Sequence, residues 1–212
     1  ELTIHDDLPP EVAQGLFATP GTHPVVMRFS TNPGDILDDA IGLPRGLAWK
    51  VLDVEGERLP GAEGRTQDFV MVNAPAFAAP TPQKFAGNLK LLAKTTDKME
   101  GTKVVMSSVL QTVNKGLEAI GVSSPAIQSL GGAPDVDPLG ETYFSVTPFR
   151  YGDYVAKFRL KPVSPDLTQR IGTEIDVSVR EDAIRDTVQA EMLNTHGVWE
   201  FQVQLCRDLE KQ

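Results

Sequence analysis

The order of apolar and polar residues predicts strands near both ends of the chain and helices between them. In the first part, three β-rich runs cover residues 24–30, 46–53 and 67–72. Turn-forming residues follow each run, with Asn-Pro-Gly after the first, Glu-Gly-Glu after the second and Asn-Ala-Pro after the third. The first part of the chain is therefore predicted to consist of strands separated by turns.

In the middle of the chain, the apolar residues are spaced as in α-helices. Thr81 is a favourable N-cap residue and is followed by a proline at the first helical position. From Phe85 onward, apolar residues recur at steps of three and four, which is typical of an amphipathic helix. A second helix is predicted over residues 104–120, where valine and leucine fall on one side.

The last third returns to strands, predicted over residues 141–149, 154–161 and 198–205. The run 198–205 alternates most regularly, and a charged amphipathic helix over residues 180–193 precedes it. An order of strands, helices and strands with hairpin connections predicts an α+β fold. We expect a largely antiparallel sheet that could close into a barrel.

Composition and charge exclude several classes of protein. The 212 residues carry 20 basic and 29 acidic side chains, a formal charge of −9, which argues against a sequence-independent nucleic-acid binder. No apolar run approaches the length of a transmembrane helix. The single cysteine excludes an internal disulfide, and three scattered histidines make a zinc site made only of protein ligands improbable.

Three short segments place polar side chains among strand-forming apolar ones. They are VMRFST at residues 26–31, LPRGLAWK at 43–50 and DFVMVNAPAF at 68–77. In order and approximate spacing these segments resemble haem catalases, and more closely the small bacterial catalase-related proteins. That family shows R-F-S-T, P-R-G-[FL]-A-x-K and a strand running into N-x-P-x-F, followed by a Phe on the next helix. The run at 149–158 is also similar, so the resemblance covers nearly the whole chain.

The resemblance implies an antiparallel eight-stranded β-barrel of the catalase type, with inserted and flanking helices, that binds haem b. Asn73 matches the family's distal asparagine and is the expected catalytic residue. Its amide could donate a hydrogen bond to a peroxide oxygen and orient the substrate. Arg28 matches an arginine that pairs with a haem propionate, for which the guanidinium fork is well suited. The other residues expected to contact the cofactor are Ser30, Thr31, Phe77 and Phe85.

The resemblance also implies a distal His and an iron-binding Tyr that have no match in this sequence. The family's His would lie before Glu1 and its Tyr after Gln212, and the three tyrosines at 143, 151 and 154 do not match the axial-ligand motif. We therefore expect residues 1–212 to form one catalase-like barrel domain lacking the start of its first strand and its axial-ligand helix. No protein metal ligand is assigned within the chain.

Each assigned residue also has a simpler interpretation. Taken alone, Arg28 is explained by a surface ion pair. Asn73 is favoured in a turn before Ala-Pro. Arg45, between Pro44 and Gly46, is interpreted as a structural residue of a turn between strands. Phe77 and Phe85 are candidates for an ordinary hydrophobic core.

Three functions follow from these observations. The first is a haem-dependent enzyme that acts on hydrogen peroxide or organic hydroperoxides. The second is a barrel that binds haem or an apolar ligand without turnover, and the third is a lipid-hydroperoxide enzyme similar to allene oxide synthases. The expected partner is a peroxide substrate, with no nucleic acid and no membrane span. Self-association is left open, and the cytoplasm is the favoured compartment.

Overall fold

The computed structural model describes residues 1–31, 38–76, 79, 81–95, 111–112 and 132–208. A short antiparallel pair, β1 (Leu2–Ile4) and β2 (Gly21–His23), begins the chain, with a 3₁₀ turn at Gly15–Ala18 between them. The main sheet then opens with a three-stranded antiparallel meander. Its strands are β3 (Val25–Thr31), β4 (Arg45–Val51) and β5 (Gln67–Val72).

The second half of the main sheet is built around one long strand, β8 (Tyr154–Pro162). Along one edge, β8 pairs with β9 (Trp199–Cys206) over most of its length. Its other edge is shared by two short strands, β6 (Tyr143–Ser145) and β7 (Phe149–Tyr151). The two halves of the sheet join where β5 pairs with β6, through Met71 opposite Ser145 and Val72 opposite Phe144.

These seven strands form an open antiparallel sheet in the part of the chain that the structure describes. β3 stands at one end, and no described strand closes the sheet between β3 and β9. The α+β class and the antiparallel arrangement predicted from the sequence are confirmed. The described strands do not form the expected closed barrel of eight strands.

The two faces of the meander differ in composition because successive side chains along a strand point to opposite faces. Along β4, the four residues at positions 45, 47, 49 and 51 are buried, whereas those between them are only partly buried. The buried face contributes to an aromatic core in which the rings of Trp49 and Phe69 stack with centroids 4.3 Å apart. Phe158 and Phe201 complete this core from β8 and β9.

Three described helices lie outside the sheet. α1 (Pro82–Thr95) begins as predicted, with the Thr81 hydroxyl accepting a hydrogen bond from the Lys84 main-chain N–H at 3.3 Å. α2 (Pro165–Thr168) is a single turn after β8, and α3 (Ala183–Met192) falls within the predicted segment 180–193. The predicted helix at 104–120 lies outside the described residues, apart from helical residues 111–112.

The prediction of one strand over residues 141–149 is wrong in its extent. This segment instead contains β6 and the beginning of β7, separated by the bend at 146–147 and by Pro148. A proline cannot donate a main-chain hydrogen bond to a neighbouring strand, which accounts for the interruption. The interruption leaves β6 only three residues long at the junction between the two halves of the sheet.

Candidate functional site

The strand register brings residues of the three sequence motifs side by side on the outer face of the meander. Arg28 lies opposite Ala48, and Ala48 lies opposite Val70. One step along, Ser30 lies opposite Gly46, which in turn lies opposite Val72. We call these six residues the outer strip: Arg28, Ser30, Gly46, Ala48, Val70 and Val72.

The outer strip combines an exposed cation with small and apolar side chains on neighbouring strands. Arg28 is exposed, and no residue that the structure describes forms a salt bridge or a side-chain hydrogen bond with its guanidinium. Val70 is 61% exposed. A Cβ at Gly46 would lie 2.8 Å from the Ser30 hydroxyl, so the absence of a side chain at 46 makes room for Ser30. This surface could accept a planar apolar molecule that carries a carboxylate.

Asn73 does not lie on the outer strip. It lies at the ends of β4 and β5, on the face that packs on the core. Its main-chain N–H donates to the Arg45 carbonyl at 3.0 Å, and its side-chain Oδ1 accepts from the Arg45 main-chain N–H at 2.9 Å. Its Nδ2 donates to both carboxylate oxygens of Glu141, at 2.8 and 3.0 Å. Both ends of the Asn73 amide are therefore bonded.

The Arg45 side chain lies beside this amide and is only 3% exposed. Its Nη2 lies 3.7 Å from Asp135 Oδ1, and neither Nε nor Nη2 has a hydrogen-bond partner among the described residues. Gln111 donates to the other carboxylate oxygen of Asp135 at 2.9 Å. We call Arg45, Asn73, Asp135 and Glu141 the strand-end cluster.

Burial controls the ionisation of the acidic residues in and around the strand-end cluster. It raises the pKa of Glu141 to about 7, against the lowering effects of the Asn73 hydrogen bond and the Arg45 charge. Burial likewise raises the pKa of Asp135 and of nearby Asp39, each opposed by a hydrogen bond and by Arg45. Glu141 can therefore take up and release a proton near neutral pH, as a general acid or base must.

A second buried ion pair borders the cluster. Asp137, only 2% exposed, accepts from Arg170 Nη1 at 3.0 Å and from the Leu139 main-chain N–H at 2.9 Å. Arg170 also bonds Glu191 on α3. These contacts hold the segment before β6, from which Glu141 projects, against the helices.

The structure thus separates the residues that the sequence assigned to one site. Arg28 and Ser30 lie on the outer strip, whereas Asn73 and Arg45 lie at the core-side strand ends, with Thr31 opposite Arg45 at the exposed end of β3. Phe85 is exposed on α1, and Phe77 lies outside the described residues. The interpretation of Arg45 as a turn residue is wrong, because it begins β4 and its side chain is buried.

Glu141 and Asp135 were not predicted from the sequence as site residues, and Arg45 was not predicted to be buried. For Arg45 and Glu141, the two-residue periodicity of the strands contains a signal of burial. Arg45 lies at a two-residue step before the buried residues Leu47 and Trp49. Glu141, which is partly buried, lies at the same step before the buried residues Tyr143 and Ser145. A charged residue that extends a buried series by one step indicates a polar site at the end of the strand.

A cavity of about 150 Å³ lies apart from the strand-end cluster, between β5, β7 and the 3₁₀ turn at Gly15–Ala18. Aromatic and polar side chains share its wall, and the polar ones are at positions 14, 67, 68, 145 and 150. Its aromatic lining comprises Phe17, Phe69, Phe149, Tyr151 and Phe158. A cavity of this size accommodates a molecule such as benzene.

Two tyrosines close to these sites donate their hydroxyl protons to main-chain carbonyls. Tyr143 donates to Pro138 at 3.0 Å, and Tyr151 donates to Val12 at 2.5 Å. Burial raises the pKa of Tyr151 to about 12 and raises the pKa of Tyr143 still further. Both hydroxyls are thereby held in the neutral form.

Among the described residues, no three His, Cys, Asp or Glu side chains are grouped so that they could hold a metal ion. None of the helices that the structure describes combines the length and apolar character needed to cross a membrane. Comparison of the chain with protein-family models, with curated proteins and with solved structures found no match.

Proposed function

We propose that this protein is a haem-dependent, catalase-like oxidoreductase that acts on hydrogen peroxide or an organic hydroperoxide. The observation that carries the proposal is the register of the meander. It aligns the R-F-S-T, P-R-G-L-A-x-K and N-x-P motifs on three adjacent strands, although 45 positions separate Arg28 from Asn73 in the sequence. The proposal includes a β-barrel of the catalase type, to which this chain contributes the described strands, and a cytoplasmic location.

In this proposal the outer strip would be the surface that binds haem. Arg28 would hold a propionate, because a guanidinium without a described partner can form two parallel hydrogen bonds to a carboxylate. Ala48 and Val70 would contact the apolar ring, and Ser30 would lie at its edge. Haem iron, when bound, supplies redox chemistry toward the O–O bond of a peroxide.

The chain's own contribution to peroxide chemistry would come from the strand-end cluster. Asn73 provides an amide that orients a peroxide oxygen, and Glu141 provides a carboxyl group that exchanges a proton near neutral pH. Asn73 and Arg28 occupy opposite faces of the meander, so Asn73 could act on a peroxide at the haem only from the strand ends, where the two faces meet. Neither Tyr143 nor Tyr151 supports an anionic iron ligand, since burial raises the pKa of both.

Haem reconstitution tests the proposal. The purified chain is mixed with haemin, and the Soret absorption and the haem-to-protein ratio are measured. We expect binding that Arg28→Ala weakens, while Arg65→Ala, an exposed arginine paired with Glu55 outside the strip, leaves the ratio unchanged. The absence of a Soret band, or an equal ratio in the Arg28 variant, would contradict haem binding at the outer strip.

Peroxide turnover is measured on the same haem-loaded samples as oxygen release. We expect Asn73→Ala to lower turnover while the haem-to-protein ratio stays near that of the unaltered chain. A product other than oxygen from a lipid hydroperoxide would favour the chemistry of allene oxide synthases. Equal turnover in the Asn73 variant would remove Asn73 from the mechanism.

The aromatic cavity favours a second candidate, a protein that binds an apolar ligand without turnover. Its volume of about 150 Å³ suits a single aromatic ring rather than haem. We expect benzene or indole to raise the Tm, and Phe17→Ala to reduce that increase because Phe17 lines the cavity. A Tm that is independent of either compound would exclude this candidate.

A further inference from the structure

We propose that Glu141 is the positioning residue of Asn73. Its carboxylate, together with the Arg45 main-chain N–H, fixes the Asn73 side-chain amide in one of its two orientations. The consequence for peroxide chemistry rests on the proposed function, whereas the contact itself does not depend on haem.

The chemistry of the two partners dictates the orientation. A carboxylate only accepts hydrogen bonds, and a main-chain N–H only donates them. With Nδ2 toward Glu141 and Oδ1 toward Arg45, both contacts are favourable, at 2.8 and 2.9 Å. Rotating the amide by 180° would place oxygen against carboxylate and N–H against N–H, so both bonds would be lost.

The amide retains a capacity to act on a further molecule. An amide nitrogen carries two protons, and one N–H directed between two carboxylate oxygens accounts for both distances to Glu141. The second N–H then remains as a donor of fixed direction. A donor held in place before the substrate arrives needs no reorientation during the reaction.

Groups on each packed element define the electrostatic environment of Glu141. Arg45 on β4 favours the ionised carboxylate, whereas Asp137, on the segment before β6, opposes ionisation. Asp137 accepts hydrogen bonds from Arg170 and from the Leu139 N–H, and the Tyr143 hydroxyl donates to the Pro138 carbonyl. In the part of the chain that the structure describes, Asn73 is the side chain that donates to the Glu141 carboxylate.

Ionisation of Glu141 therefore regulates the strength of the Asn73 contact. Hydrogen bonds to an ionised carboxylate are stronger than those between neutral groups. Protonation leaves one carbonyl oxygen to accept, which preserves the orientation and weakens the bond. The NMR signals of the Asn73 side-chain amide should therefore change when Glu141 gains or loses its proton.

Nitrogen-15 NMR of the haem-free chain tests this coupling. The side-chain amide signals of Asn73 are identified by their loss in Asn73→Asp and followed between pH 5 and 9. We expect a pH-dependent shift in the unaltered chain, and loss of that shift in Glu141→Gln with the signals still distinct from those of exposed asparagines. Glu57→Gln, at an exposed turn, makes the same charge change and should leave the shift intact.

Two results would overturn the proposal. One is an Asn73 amide that does not respond to pH in the unaltered chain, and the other is an equal response in Glu141→Gln. Glu141→Ala adds a third comparison, because removal of the acceptor should move the Asn73 signals to those of an unrestrained amide. Glu141→Gln decides the matter by itself if the alanine variant does not fold.

Haem-loaded samples separate this proposal from the proposed function. We expect the pH profile of peroxide turnover to show an inflection that Glu141→Gln removes. An NMR response combined with no turnover would refute the enzyme and retain Glu141 as the positioning residue. Turnover whose pH profile is identical in Glu141→Gln would show that the contact does not control the reaction.

Discussion

At the scale of single residues, Arg45 is the charge on which the strand-end cluster depends. Arg45 is almost completely buried. Burial raises the pKa of Asp39, Asp135 and Glu141, and the Arg45 guanidinium opposes that rise in all three. Removing one member of a buried charged group is costly because the remaining charges stay desolvated without compensation. Arg45 thus has a larger effect on stability than any exposed arginine should have.

We predict that Arg45→Met lowers the free energy of unfolding by about 3 kcal/mol at pH 8, measured by urea denaturation. Methionine keeps much of the side-chain length, so the lost charge dominates the effect. The loss should be smaller at pH 5, where Glu141 is protonated. Arg65→Met, an exposed control, should change stability by less than about 1 kcal/mol. A loss of that small size at Arg45 would show that the cluster is not held together by charge.

On the outer strip, the space for the Ser30 side chain depends on the absence of a side chain at Gly46. A Cβ at position 46 would approach the Ser30 hydroxyl to 2.8 Å, and a serine side chain can move only by changing its rotamer. Gly46→Ala should therefore cost about 1 kcal/mol. Ser30→Ala in the same chain should recover most of that loss, as measured by a double-mutant cycle. Independent, additive effects would indicate that the two residues are not in contact.

At the scale of elements, the alternation of the meander strands determines what each face does. Phe69 points into the aromatic core and contacts the rings of Phe17, Trp49, Phe158 and Phe201. Its neighbour Val70 points to the outer strip. A shift of one residue in register would exchange these two positions.

The two faces of β5 can be distinguished by comparing the stability lost on substitution of Phe69 and of Val70. Phe69→Ala should lower the free energy of unfolding by about 3–5 kcal/mol, because it removes a ring from the centre of the core. Val70→Ala should cost less than about 0.5 kcal/mol, since that side chain is already largely in solvent. Similar costs in chemical denaturation would mean that the assigned register is wrong.

Much of this element-level structure could be predicted from the sequence. Strands β3, β4, β5, β8 and β9 each begin and end within about two residues of the predicted runs, because regular alternation and turn residues are local signals. β6 and β7 were predicted as one strand, although Pro148 is a local signal for the break between them. Their pairing with the same edge of β8 could not be predicted, because it joins segments that are separate in the sequence. The contact of Asn73 with Glu141 was also inaccessible, because it joins residues 68 positions apart in the sequence.

At the scale of the whole molecule, buried acids make stability depend on pH. Glu141 has an ordinary pKa of 4.5 that burial raises to about 7 in the folded protein. The folded state therefore binds more protons than the unfolded state between these values. The sign follows directly: this contribution is fully present below pH 4.5 and is lost as pH rises through 7. Asp39 and Asp135 act in the same direction, since burial raises the pKa of both.

We predict that the unaltered chain loses about 3 kcal/mol relative to Glu141→Gln between pH 4.5 and 8. The comparison between the two chains cancels contributions from other titrating groups. Urea denaturation at several pH values measures it, with Glu57→Gln as an exposed control that should follow the unaltered chain. A constant difference across this range would mean that Glu141 keeps its ordinary pKa.

The narrow junction between β5 and β6 has a consequence for how the sheet opens. Among the described strands, two paired positions join the backbone of the meander to the β6–β9 half, and the Asn73–Glu141 contact lies immediately beside them. The aromatic core packs across the same boundary through Trp49, Phe69, Phe158 and Phe201. Local, partial unfolding follows the boundaries at which least structure must be broken. We therefore expect the short β5–β6 ladder to open before the longer ladders of the sheet, and the Asn73–Glu141 contact to stabilise it. If the Asn73–Glu141 contact is weakened, amide hydrogen exchange should become faster at residues 71, 72 and 143–145. The β8–β9 ladder should stay protected.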